Sequence, residues 1–249
     1  MGESVSTSLV DRVAVIEMRR GPNNFFDEAV LSELSNAVHS VDGSPEVRCI
    51  VLCSEGKNFC AGADLRYVTA EGIRAIYRSA FSLFTGRRPM IAAIQGAAIG
   101  GGLGLALAAD FRVALMRSRF SANFAKLGFH HGFGLSVTLP AVVGHQRALE
   151  LLYTGRSLVG AEAAQVGLCD RLVETDLRGA AIEFGREIAD SAPLSLASIR
   201  ATMRRSLVAA VYAAIDVEAE AQCALLKTAD FQEGIRASVA RRPPAFAGE

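Results

Sequence analysis

Residues 90–109 read Met-Ile-Ala-Ala-Ile-Gln-Gly-Ala-Ala-Ile-Gly-Gly-Gly-Leu-Gly-Leu-Ala-Leu-Ala-Ala, and the placing of glycine here decides the fold. The stretch is uncharged and long enough to cross a bilayer. However, it is built from alanine and glycine, and five glycines interrupt it. Each costs about 1 kcal/mol relative to alanine inside a helix, and such a composition inserts poorly into lipid. The stretch therefore predicts a buried strand over Met90–Ile94, a tight turn at Gly100-Gly101-Gly102 and a short buried helix over Leu103–Ala109. Residues without Cβ let another molecule approach the backbone closely. The first N–H groups of a helix lack internal partners and sit at the positive end of its dipole. The turn thus suits an anion, or a carbonyl oxygen that becomes negative during reaction. Tight packing of helix against strand explains it equally well. A dinucleotide fingerprint does not, because G-x-G-x-x-G started at Gly100 ends on Leu105, and started at Gly102 ends on Leu107.

Working outward, Val13–Met18, Cys49–Cys53 and Phe111–Leu115 read as further buried strands. Asp27 is placed to cap a helix with apolar positions Val30, Leu31, Leu34, Val38 and Val41. Helices are predicted from Glu71 to Phe84, over Gln146–Tyr153 and over Ala161–Val166, with a last short strand at Leu172–Val173. Phe120–Pro140 shows little periodicity, and from Leu177 the pattern is helical almost to Val239. Strands alternating with helices and then helices alone predict an α/β core with parallel strands, residues 1–190, and a helical C-terminal region, residues 191–249.

The 249 residues are 51% hydrophobic, ample for a core. Lys and Arg (26) balance Asp and Glu (26), so no basic excess points to nucleic acid, and an anionic ligand must be met by local donors. Five cysteines, an odd number with no C-x-x-C pair, suggest neither a disulfide framework nor a zinc site. Free thiols and the lack of a secretory pattern over Met1–Val10 predict a cytoplasmic protein with no membrane partner.

Phe59-Cys60-Ala61-Gly62-Ala63-Asp64-Leu65 and Ile94-Gln95-Gly96-Ala97-Ala98-Ile99-Gly100-Gly101-Gly102 resemble two motifs of the enoyl-CoA hydratase/isomerase (crotonase) superfamily. Asp110–Ala114, Gly160–Leu168, Asp230–Gly234 and Arg241-Arg242-Pro243 continue the match in order. The resemblance implies a spiral of ββα units, a C-terminal helical trimerisation region, and a homotrimer or dimer of trimers. It implies an acyl-CoA small-molecule substrate, with coenzyme A as part of that substrate and no separate cofactor or metal. The N–H groups of Ala63 and Gly101 would hold the thioester oxygen and stabilise an enolate-like intermediate. Ala61, Asp64, Leu65 and Arg66 would border the CoA nucleotide, Arg66 near its phosphates. A loop-capping role is the alternative for the Asp64 side chain.

The chain departs from the family pattern at both hydratase glutamates, whose positions fall on Gly104 and Phe124. Hydration needs a positioned water and a proton donor, and neither residue titrates. His131 and His130 stand within two residues of Gly132, where isomerases and acyl-CoA hydrolases of the superfamily carry a carboxylate. A histidine there is a candidate base, with packing of the loop as the alternative. Glu71, Tyr67 and Tyr77 are further titratable candidates, for which a solvated helix face is the default expectation. Ser136 has no visible Ser-His-Asp context. Asn23-Asn24-Phe25-Phe26 replace the family's Lys- or Arg-bearing turn. The expected activity is that of a hydratase/isomerase-type lyase or isomerase with non-standard acid–base residues. A weakly active or inactive acyl-CoA binder and an acyl-CoA hydrolase or decarboxylase are the alternatives.

Overall fold

The computed structural model describes residues 4–64 and 68–249. Its main sheet has six strands: β1 (Val5–Val10), β2 (Val13–Met18), β3 (Cys49–Ser54), β4 (Met90–Ile94), β6 (Phe111–Leu115) and β9 (Arg171–Val173), in the order β1-β2-β3-β4-β6-β9. Only β1 runs antiparallel, joined to β2 through the positive-φ residues Asp11 and Arg12. A smaller sheet joins β5 (Ala97–Ile99), β7 (Arg119–Ser121) and β8 (Ser157–Val159). Helices α1 (Glu28–Asp42), α2 (Ala70–Phe84) and α3 (Gly101–Ala108) follow β2, β3 and β5. A 3₁₀ helix (Asn123–Leu127), α4 (Leu135–Val143), α5 (His145–Thr154), α6 (Gly160–Gln165), α7 (Leu177–Ala189), α8 (Pro193–Leu225) and α9 (Ala229–Ala240) complete the chain.

The central strands are apolar along their whole length because both faces of the sheet are covered. Side chains alternate across a strand, and here the alternation sorts two separate layers. Ala14, Ile16, Met18, Ile50, Leu52, Ala92 and Ile94 join the large layer with α1, α2 and α3. Val13, Val15, Cys49, Val51, Ile91, Ala93 and Val113 face α7, which contributes Ala181. Asp27 caps α1 by accepting from the Val30 N–H at 2.9 Å, as its position predicts.

Residues 90–109 form β4, β5 and α3, with every residue of α3 after Gly101 buried. No helix among the described residues is long and apolar enough to cross a membrane. The three short strands β5, β7 and β8 and the helix α4 were not expected. Three residues hold too little of a period-two pattern to read. In α4 the sequence LSVTLPAVV is apolar on nearly every side and contains Pro140, so no stripe marks it.

After the last strand, β9, the chain is helical, with residues 190–192 linking α7 to α8. One acidic residue, Asp110, ties the N-terminal half of the long helix α8 to the core. Asp110 accepts from the Met90 N–H and Arg200 Nε, each at 2.8 Å, and from Arg204 Nη1 at 2.7 Å. Arg200 also donates to the Gly86 carbonyl.

Candidate functional site

Segment 59–64 and strand β5 run side by side. Phe59 N–H donates to the Gln95 carbonyl, Cys60 N–H to Ala97, and Ile99 N–H to Cys60. Gly62 turns the chain with φ of +101°, and a Cβ built there would stand 3.1 Å from the Ile99 carbonyl oxygen and 3.7 Å from the Gly101 nitrogen. Ala63 then bridges Phe26 in parallel, through Phe26 N–H to Gly62 O (3.1 Å) and Asp64 N–H to Phe26 O (3.2 Å). These two bonds use the neighbours of Ala63 and turn its own N–H to the other side of the segment. Gly101 is the first residue of α3, after Gly100 at φ +56°. Among the described residues, no acceptor partners the N–H of Ala63 or of Gly101.

The close approach depends on missing side chains. A Cβ at Gly102 would overlap the Cys60 carbonyl, and one at Gly101 would overlap the Phe26 ring. The asparagine-bearing turn ahead of Phe26 is held by side chains. Buried Asn24 donates to the carbonyls of Glu55 and Asn58, both at 2.7 Å, and accepts from the Arg20 N–H at 2.9 Å. Asn58 donates to Asn23 Oδ1 at 2.8 Å. The turn that lacks a basic residue is thus rigidly tied to the loop that leads to Ala63.

Both free N–H groups border one cavity of about 550 Å³, which lies between α2, the start of α3, the 3₁₀ helix and α9. Its walls are mainly apolar, with Phe26, Ile73, Ile76, Phe124, Phe129 and Phe133 among them. The polar side chains among the described lining residues are Asp64, Tyr77, Asn123, Gln222 and Ser238. Ala61, Ala63, Asp64 and Gly101 therefore share this cavity, and Leu65, Arg66 and Tyr67 lie outside the described residues. Phe124 also lines it, nearly buried. Gly104 faces a different neighbour. A Cβ there would overlap Cβ and the ring of Phe133, so phenylalanine fills the space a longer side chain at residue 104 would need.

The two histidines are beside the cavity rather than in its lining. Their rings stack with centroids 4.1 Å apart, and His131 Nε2 hydrogen-bonds Ser136 Oγ at 2.8 Å. Burial, and secondarily the nearby His130, lower the His131 pKa from its ordinary 6.5 to about 4, so it is neutral at pH 7. A depressed folded-state value means that the unfolded chain takes up the proton first as pH falls. The stability from this group is complete above pH 6.5 and is lost as pH drops to about 4, to an upper bound of ~3 kcal/mol. We expect His131→Gln to flatten urea-unfolding stability between those pH values and to leave turnover at pH 7 within a few-fold. A large loss of turnover would return His131 to the chemistry.

Ser136 does have a histidine neighbour, and its N–H donates to Glu218 Oε1 at 2.9 Å. Glu218 Oε2 accepts from the Gly134 N–H at 2.7 Å. Burial raises the pKa of this carboxyl, and the Ser136 and Gly134 donors oppose the rise. By gripping both N–H groups, Glu218 of α8 fixes a loop in which Phe133 has φ of +63°, a left-handed conformation rare for a bulky residue.

Glu71 is exposed, as a solvated face requires, but Tyr77 is not: it is 5% exposed and faces the cavity. Ile73, Tyr77, Ala80 and Phe84 all lie on the buried stripe of α2, and that spacing was the available signal. Gln222 and Glu218 were missed. They come from α8, far along the chain, and no local pattern links them to residues 130–136.

The family model described as enoyl-CoA hydratase/isomerase matches residues 10–249. The chain belongs to the enoyl-CoA hydratase/isomerase family. A peroxisomal Delta(3,5)-Delta(2,4)-dienoyl-CoA isomerase of Arabidopsis thaliana is 30% identical over 236 residues, covering 86% of this chain and 85% of its own. A mitochondrial methylglutaconyl-CoA hydratase of Rattus norvegicus is 32% identical over 242 residues, covering 91% and 76%. An enoyl-CoA hydratase crystal structure from Mycobacterium avium subsp. paratuberculosis K-10 superposes with a TM-score of 0.90 at 26% identity, covering 98% of this chain and 99% of that one. The crotonase-like fold expected from the glycine turn and its partner loop is thereby established, with its helical C-terminal part.

Proposed function

We propose that the protein is an acyl-CoA enzyme of the hydratase/isomerase type whose main catalytic device is a pair of backbone donors. The thioester oxygen sits between the N–H groups of Ala63 and Gly101, which stabilise the negative charge of an enolate-like intermediate. One such donor contributes about 3–4 kcal/mol to a transition state. The observation that carries this reading is the pair of unpartnered N–H groups bordering one apolar cavity, Gly101 at a helix N-terminus. The family resemblance assigns the CoA nucleotide to Ala61, Asp64, Leu65 and Arg66, of which Ala61 and Asp64 line the cavity.

Ordinary hydration is not the favoured step. The glutamate positions hold Gly104 and Phe124, and Phe133 occupies the space beyond Gly104. Among the described lining residues the ionisable side chains are Asp64 and Tyr77. This scarcity also supports a second reading, a slow or inactive acyl-CoA binder. A homotrimer or dimer of trimers is the assembly we propose, supported by exposed Ile199, Met203 and Val217, which share one side of α8.

The experiment pairs thermal shift with turnover. CoA and several acyl-CoA thioesters are titrated against the protein, and crotonyl-CoA is followed by absorbance. We expect stabilisation by acyl-CoAs with slow or no crotonyl-CoA hydration. Fast hydration refutes the reading of Gly104 and Phe124, and no stabilisation at high ligand refutes the acyl-CoA assignment.

A further inference from the structure

Tyr77 presents a polar atom to a mainly apolar cavity. Its hydroxyl stands where a side chain at Gly132 would go: a Cβ built on Gly132 overlaps the phenol oxygen and comes within 2.9 Å of Gln222 Nε2. The Gln222 carboxamide and the Phe133 backbone lie next to that oxygen. Gln222 is itself oriented, since its Nε2 donates to the His130 carbonyl at 2.7 Å. An amide N–H and a backbone N–H are both donors, so they occupy the acceptor side of the phenol. What remains is the phenolic proton, on a side chain that lines the cavity.

Burial, with the nearby Glu218 adding to it, holds this phenol well above its ordinary pKa. It stays protonated through the neutral range and acts as a donor rather than a base. A phenol that borders a mainly apolar cavity gains from an acceptor on that side. Charge narrows the class of partner. Asp64 lies in the lining, Glu218 lies behind the wall, and no Lys or Arg is among the described lining residues. An anionic group is therefore disfavoured at this point.

We infer that the cavity takes an acyl group carrying a neutral oxygen acceptor, a carbonyl or a hydroxyl, and that Tyr77 selects it by donating its phenolic proton while Gln222 acts as the positioning residue. This rests on the acyl-CoA reading above. Two matched pairs test it by calorimetric titration: levulinyl-CoA against valeryl-CoA, and para-hydroxybenzoyl-CoA against benzoyl-CoA. In the wild-type protein, the oxygenated member of at least one pair binds about fivefold or more tightly. Tyr77→Phe removes one oxygen and erases that difference by weakening the oxygenated member alone. Gln222→Leu reduces the preference between the members of each pair. Equal affinities within both pairs in the wild type overturn the inference without any variant. So does a Tyr77→Phe protein that weakens both members alike. If the wild type binds none of the four thioesters, the acyl-CoA assignment itself fails and takes the inference with it.

Discussion

Ala63→Pro is expected to lower turnover of an acyl-CoA thioester by about 10²–10³-fold while shifting the unfolding midpoint by only a few degrees. The effect is selective because of where the backbone bonds run. Phe26 N–H goes to Gly62 O and Asp64 N–H to Phe26 O, so the bridge that anchors the segment uses both neighbours of Ala63 and spares its own N–H. Proline removes that N–H and sets its ring on the same spot. Ala63→Gly keeps the donor and serves as control, with turnover close to wild type. Wild-type turnover in Ala63→Pro would show that the Ala63 N–H plays no part in the reaction. The equivalent change at Gly101 is less informative, because any Cβ there overlaps the Phe26 ring and mixes a packing fault with the loss of a donor.

Gly104→Glu, which places a glutamate where the family resemblance expects the first one, is expected to destabilise the fold by at least ~3 kcal/mol and to yield no crotonyl-CoA hydration. Two costs add. The new Cβ overlaps Phe133, and overpacking a filled core typically costs about 1–3 kcal/mol. The carboxylate then enters a buried apolar layer without a partner, and an unpaired buried charge adds several kcal/mol more. Adding Phe133→Gly to Gly104→Glu relieves the overlap and recovers part of the midpoint in denaturant titrations. A stable Gly104→Glu single variant that hydrates crotonyl-CoA quickly would mean that the loop carrying Phe133 yields easily, against the grip of Glu218 on Gly134 and Ser136.

These two sites mark how far the sequence could be read. The strands Val13–Met18, Cys49–Ser54, Met90–Ile94 and Phe111–Leu115 were legible because each is an apolar run between turn residues. The glycine turn and its partner loop were legible as motifs, since a close backbone approach admits few residue types there. Beyond them the information is tertiary. That Phe133 fills the space next to Gly104 follows from a left-handed residue between two glycines, fixed by a carboxylate more than eighty residues away. That His131 is set on Ser136 rather than lining the cavity depends on which way that same loop faces. Tyr77 is the intermediate case. Its place on the buried stripe of α2 was visible in the spacing of Ile73, Tyr77, Ala80 and Phe84, but the cavity on the other side of that stripe was not.

The alternation of the central strands has a practical consequence for engineering. Val13, Val15, Cys49, Val51, Ile91 and Ala93 pack only toward α7, on the face of the sheet turned away from the cavity, whereas Ile16, Leu52, Ala92 and Ile94 share a layer with Phe26 and Phe133. Repacking the first group for heat resistance leaves the cavity lining untouched, because the sheet itself separates the two layers. Repacking the second group disturbs the layer that carries the cavity walls Phe26 and Phe133. A designer who wants a hardier catalyst with its selectivity intact should work under α7, and one who wants a new substrate range should work on the opposite face.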